Sequence, residues 1–175
     1  MNRNDIAQRS LQPFDNLEIV KKYFASVKAM DAATTSNESF DTGGIMALWH
    51  DNGTLTIGGK PLDGERSFSG AKEISTFYER RTKGVNGEIA LNLSSIEVAN
   101  AKTADHVVAS GLRYVVTHGE EGLQVPFTHN FFLRDGRIAD LKIHVGAPAK
   151  SDIAPMGLLK VEDLGRLAAM AWMVA

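Results

Sequence analysis

The chain has no cysteine among its 175 residues, which excludes disulfides, thiol nucleophiles and thiolate metal sites and leaves the redox compartment to other features. It has no excess of either charge. Its 19 Lys and Arg stand against 21 Asp and Glu, a formal net charge of −2, whereas nucleic acid or an anionic membrane calls for clustered cations. No apolar run approaches the roughly 20 residues of a membrane span, and residues 1–10 lack the apolar stretch of a secretory signal. These absences point to a cytoplasmic protein whose partners are small and neutral, with neither nucleic acid nor membrane among them.

What is present is apolar content. Hydrophobic residues make up 43% of the chain, enough for one domain with a sizeable core, while the length is too small for two. The expected organisation is an N-terminal arm over 1–15, one α+β domain over 16–145, and a linker with an apolar helix over 146–175.

Helices come first. Asp15 and Glu18 have capping-box spacing, with Phe14 and Ile19 in staple positions, so a helix is predicted over 16–30 with Val20, Tyr23, Val27 and Met30 on one face. The polar, Thr/Ser/Asn-rich stretch 31–39 reads as a loop. A shorter helix is predicted over 45–50, then a turn at Asp51-Asn52-Gly53, a strand over 54–57 and a Gly/Pro-marked loop over 58–64. A third helix starting near Ser69 or Gly70 should bury Ile74, Phe77 and Tyr78 and stop near Gly84.

Four strands follow, over 89–98, 105–117, 123–133 and Arg137–Val145, joined by short turns that demand antiparallel neighbours. Three helices and a meander make an α+β arrangement, with helices on one face of a curved, mostly antiparallel sheet. The last hairpin admits two registers. With Asp135-Gly136 as a bare two-residue turn, Asn130 lies opposite Leu141, and Thr128, Asn130 and Phe132 share the face of Ala139, Leu141 and Ile143. With Gly136 left-handed in a three-residue loop and a G1 bulge, the register moves by one, and Phe127, His129, Phe131 and Leu133 join that face. The second gathers more apolar side chains and is preferred. It also turns His129 inward, where a polar group needs a partner.

Three stretches carry a family resemblance: Val20-Lys21-Lys22-Tyr23-Phe24-Ala25-Ser26-Val27, Ser69-Gly70-Ala71-Lys72-Glu73-Ile74-Ser75-Thr76-Phe77-Tyr78, and the hairpin Phe127-Thr128-His129-Asn130-Phe131-Phe132-Leu133-Arg134-Asp135-Gly136-Arg137-Ile138. With Leu48-Trp49-His50-Asp51-Asn52-Gly53-Thr54-Leu55-Thr56-Ile57, they resemble the ketosteroid isomerases of the NTF2-like superfamily. The resemblance implies a cone-shaped pocket under three helices. It assigns to Tyr23 the hydrogen bond to a substrate oxygen, to Tyr78 the supporting hydroxyl, to Trp49 a pocket wall, and to His129 the place of the protonated aspartic acid that completes the family's oxyanion hole. Ile57 stands where the family has its aspartate base, and an isoleucine cannot remove a proton. Tyr23 with His129 looks more like the chemistry of scytalone dehydratases, another branch of the superfamily. The inward Asp of SnoaL-type polyketide cyclases has Ile143 and Val145 in its place.

Such a pair suits proton abstraction beside a carbonyl or loss of water from a cyclic alcohol. A histidine titrating near 6.5 serves as acid or base at neutral pH, and Tyr23 would polarise an oxygen. Asp63 and Glu65, before the third helix, are the nearest spare carboxylates, and Asp63 is a secondary catalytic candidate. Ile57, Phe127, Phe131, Leu141 and Ile143, with Tyr78 and Trp49, are the expected ligand-binding walls. The alternative is that these residues only fill a core. His50-Asp51 precedes a turn and reads as surface, and His106, His118 and His144 share no metal-ligand spacing with a carboxylate. No metal site and no cofactor is expected.

Residues 146–157, with Pro148 and Pro155, read as a linker, and 161–174 as a helix ending Leu167-Ala168-Ala169-Met170-Ala171-Trp172-Met173-Val174. That end is too apolar for water and too short to span a bilayer. It covers the pocket mouth or enters a subunit interface, and the resemblance implies a homodimer. Three functional readings stay open: an isomerase, dehydratase or cyclase acting on a hydrophobic ring compound, a non-catalytic carrier of an apolar molecule, or a structural dimer module whose cone is filled by its own side chains.

Overall fold

A computed structural model describes residues 15–36, 38–81, 87–100, 103, 105–117 and 123–150 of the chain. Helix α1, Asn16–Thr35, starts where the capping spacing puts it: Asp15 accepts hydrogen bonds from the Leu17 and Glu18 backbone N–H groups at 3.1 and 3.3 Å. Phe14, the other half of the expected staple, lies outside the described residues. The helix runs one turn past the predicted end. Residues 31–35 contain no Gly or Pro to stop it, and Asp31 is held in the interior by two arginines rather than drawn into a solvated loop. Its buried face is Val20, Tyr23, Phe24, Val27, Met30 and Asp31, the spacing of a single helical stripe.

Helix α2 is a single turn, Gly43–Met46, shorter than predicted, because Trp49 and His50 already belong to strand β1, Trp49–Gly59. The expected turn at Asp51-Asn52-Gly53 lies inside that strand, where the register with its neighbour shifts between Trp49 and Thr54. Gly53 is needed there, since a Cβ would stand 2.7 Å from Trp49 Cε3. Strand β2, Arg66–Ser69, pairs antiparallel with β1 and leads straight into helix α3, Gly70–Arg81, which buries Ile74, Phe77 and Tyr78 as its period requires, and Arg81 besides. The predicted stop near Gly84 lies outside the described residues.

Strands β3 (Gly87–Asn100), β4 (His106–Thr117), β5 (Leu123–Arg134) and β6 (Arg137–Val145) form the antiparallel meander. A two-residue β7, Ala149–Lys150, pairs with the start of β5, so part of the expected linker is strand. The sheet order is β2-β1-β6-β5-β4-β3, and β1 joins β6 in parallel. The first strand therefore closes against the last of the meander. Helix α1 packs over β3 and β4, and α3 over β1 and β2, so the core lies between the helices and one sheet face. Among the described residues no helix is long and apolar enough to cross a membrane. The apolar helix predicted over 161–174, with Trp172 and Met173, lies outside them.

The last hairpin adopts the preferred register, with His129 opposite Ile143 and Phe131 opposite Leu141. The device that sets it differs from expectation. Asp135 and Gly136 take φ of 51° and 70° in a bare two-residue turn between the paired Arg134 and Arg137, the left-handed pair such tight hairpins favour. The shift is made further in: Leu133 faces Ile138 but Phe132 faces Asp140, so Ala139 is one residue too many in β6, a β-bulge. The bulge keeps Leu133 and Ile138 buried on the same side as Phe131 and Leu141. Burial decides the register, and the strand bends to allow it.

Candidate functional site

Alternation along β5 sends Val125, Phe127, His129, Phe131 and Leu133 inward. Helix α1 lowers Tyr23 and Phe24 onto them, and α3 adds Phe77 and Tyr78. His129 is 2% exposed. Its ring stacks on Phe24 at 5.2 Å between centroids and stands 5.9 Å from Tyr23, 4.9 Å from Phe127 and 5.8 Å from Phe131. The Tyr78 hydroxyl donates to that of Tyr23 at 3.3 Å. Tyr23 keeps its own proton to donate elsewhere.

These groups surround an interior cavity of about 10 Å³, whose described lining comprises Tyr23, Phe24, Val27, Phe77, Tyr78, Arg81, Arg113, Phe127, His129 and Ile143. That is room for about one water molecule. Of the sequence-predicted site, Tyr23, His129, Tyr78, Phe127 and Ile143 therefore meet at one place. Phe131, 5.1 Å from the Tyr23 ring, and Trp49, 6.5 Å from the Tyr78 ring, are buried, as are Ile57 and Leu141, without being among the described lining residues. Asp63 and Glu65 are exposed. Their loop turns outward beyond β1, which removes Asp63 from the candidate catalytic groups. The described lining residues include no carboxylate.

Sequence reading missed a charged cluster. Asp31 of α1 accepts at one oxygen, Oδ1, from Arg113 of β4 at 2.6 Å and from Arg81 of α3 at 3.2 Å. The three side chains are 1–4% exposed. The signal was there as position rather than motif: Arg81 is one turn beyond Phe77 and Tyr78, Arg113 alternates with Val107, Ala109 and Val115, and Asp31 is four residues after Val27. Each is a charge on a stripe that is otherwise core.

Burial sets the electrostatics. Desolvation pushes both tyrosine hydroxyls above the usual 10, Tyr78 well above it, so both remain phenols at neutral pH. Burial, then the neighbouring Arg81, lowers Arg113 to about 10, which leaves it charged. Burial, then Arg81 and Arg113, holds His129 well below its usual 6.5. The histidine is therefore a neutral imidazole in the folded protein, while in the unfolded chain it takes up a proton below about 6.5. Folding stability attributable to His129 is whole above that pH and falls as the pH drops toward the depressed folded value, by up to about 1.4 kcal/mol per pH unit. Denaturant titrations between pH 7 and pH 5 should show that slope in the wild type and lose it in His129→Phe. An identical slope in both would mean that His129 is not held neutral.

No family model matches the chain, and no curated protein matches it in sequence. Solved structures do match. An NTF2-like protein from Burkholderia xenovorans is similar at 14% identity over 88% of this chain and 95% of that one, with a TM-score of 0.55. An NTF2-like protein of unknown function from Burkholderia pseudomallei is similar at 16% identity over 88% and 97%, also with a TM-score of 0.55. A protein from Pseudomonas putida, provisionally named a polyketide cyclase, matches at 17% identity over 73% and 89%, with a TM-score of 0.51. The chain has the NTF2-like fold: helices on one face of a curved sheet. At these identities the likeness extends to the fold and not to an activity.

Proposed function

We propose that this protein binds a small hydrophobic ring compound in the cone between α1, α3 and the sheet, with a carbonyl or phenolic oxygen of that compound accepting the Tyr23 proton. The observation that carries this reading is the Tyr78-to-Tyr23 hydrogen bond at 3.3 Å on the wall of a cavity shared with His129. A hydroxyl oriented by a second hydroxyl in an apolar interior is a preorganised donor. The reaction that fits is acid-base chemistry of the isomerase, dehydratase or cyclase kind, in keeping with the name given to the Pseudomonas putida relative. Neutral His129 is the only base among the described lining residues.

A second reading is favoured by the cavity's size. At about 10 Å³ the cone is nearly filled by Phe24, Phe77 and Phe127, and a ring compound enters only if those rings move. A cone closed for good would make the protein a structural module, with a second copy packed on the outer sheet face that carries Val108, Leu112, Tyr114 and Phe132.

A thermal-shift panel of cyclic ketones, phenols and steroids separates the two, because a ligand that prefers the folded state must raise its melting temperature. Binding in the cone predicts a shift that shrinks in Tyr23→Phe. Absence of a shift with every compound would sink the pocket reading and favour the filled cone.

A further inference from the structure

We infer that the groove between β2 and α3 is the site where the ring compound first binds, and that the Phe77 ring is the gate between this groove and the interior cavity. The inference rests on the pocket reading above and adds the route into the pocket.

The groove has a volume of about 330 Å³ and is lined by Phe68 of β2 and by Lys72, Glu73, Thr76, Phe77 and Arg80 of α3. That size falls among small-molecule sites, roughly 300–1,000 Å³, whereas the interior cavity, at about 10 Å³, does not. Phe77 is the one described residue that the two linings share. It is 2% exposed and stands as the wall between them.

The packing of Phe77 differs from that of the other rings that fill the cavity. Phe24 and Phe127 are wedged into one aromatic cluster with His129. The Phe77 ring instead meets Phe68 at 5.0 Å and Tyr78 at 5.2 Å between centroids. Phe68 is half-buried and belongs to a four-residue strand at the edge of the sheet, where local opening costs least. Moving the Phe77 ring aside leaves the cluster around His129 in place. It joins the two spaces beside Tyr78, whose hydroxyl holds that of Tyr23.

The groove also suits the compound that the interior would take. The Glu73 carboxylate already accepts from the Ser69 backbone N–H at 2.8 Å, and the Thr76 hydroxyl donates to the Lys72 carbonyl at 2.9 Å. What remains to a ligand there is the aromatic surface of Phe68 and Phe77, a platform for a hydrophobic ring.

The experiment follows binding of 2-naphthol by stopped-flow fluorescence to the wild type and to Tyr23→Phe, Phe77→Ala and Phe127→Ala. A fifth protein is Thr76→Cys labelled with a maleimide that carries a short polyethylene glycol chain. The chain has no cysteine of its own, so the label goes to the groove alone, and the same label on Lys142→Cys, an exposed position of β6, is the control. A gate that must open makes the wild-type association rate level off as 2-naphthol is raised. Phe77→Ala should remove that plateau and speed association about tenfold or more, while Phe127→Ala keeps it. The label at position 76 should slow association about tenfold, and the label at position 142 should leave it unchanged. If binding depends on Tyr23 but neither Phe77→Ala nor the groove label alters its rate, the gate is overturned and the pocket reading stands. Binding that ignores Tyr23→Phe, or that occurs in Phe77→Ala and not in the wild type, overturns the gate as well. If 2-naphthol binds none of these proteins, both inferences fall. Should Phe77→Ala fail to fold, the two labelled proteins decide the point.

Discussion

Replacing Asp31 with asparagine should lower the unfolding free energy by about 3–5 kcal/mol, the cost of breaking a buried ion pair from one side. The reason is geometric as well as electrostatic. One carboxylate oxygen takes Arg113 at 2.6 Å and Arg81 at 3.2 Å, with all three side chains nearly sealed from water. An amide in the same place keeps the shape and loses the charge, so two guanidiniums face each other across it. Against a domain stability of about 5–15 kcal/mol such a loss is a large share. The ties also run from α1 to α3 and from α1 to β4, so the variant should loosen the helix layer over the cone and not merely one side chain. Urea titration reads the loss through its midpoint. Lys21→Gln, which breaks the solvent-exposed pair with Glu18, is the contrast and should be close to silent. If Asp31→Asn proves as mild as Lys21→Gln, the cluster does not hold the helices to the sheet.

Gly59→Ala should be of similar severity, about 3–5 kcal/mol, for steric reasons. Gly59 ends β1 in parallel pairing with Val145, the last residue of β6. A Cβ there would lie 2.0 Å from the Val145 carbonyl oxygen and 2.7 Å from its nitrogen. These are backbone atoms already committed to the sheet: the same oxygen accepts from Lys60 N–H at 3.1 Å. The backbone at Gly59 also has φ of +138°, which side-chain-bearing residues rarely adopt. Relief requires β1 and β6 to separate, near where Ile57 faces Ile143 on the cavity side. Gly64→Ala isolates the conformational part, since Gly64 has φ of +92° and nothing within 4 Å of the added carbon. It should cost about 1–2 kcal/mol. Equal losses at the two glycines would show that contact with Val145 contributes nothing.

Much of the site was legible in the chain because it is written in local periods. Alternation along β5 and the choice of register put His129 among aromatics. The helical spacing of Tyr23 and Tyr78 turned both toward it, and the fold brings the two hydroxyls together. Asp63 was legible only as a nearby carboxylate, and proximity in sequence does not aim a loop side chain: the loop turns it into water. Trp49 and Ile57 were read as pocket wall, and they are buried without being among the described lining residues of the cavity.

The sequence by itself determined α1 and α3 with their apolar stripes, the cap at Asp15, the four strands of the meander and the inward face of β5, because each depends on residues within a turn or a hairpin of one another. Only the tertiary structure decided what those faces meet. The parallel closure of β1 on β6 joins strands separated by α3 and the whole meander, and no short connection announces it. The cluster of Asp31, Arg81 and Arg113 spans separations of 50 and 82 residues. Each member alone is a charge on a buried stripe, which burial would forbid. The three are tolerated together because the fold brings opposite charges within hydrogen-bond distance where water is excluded.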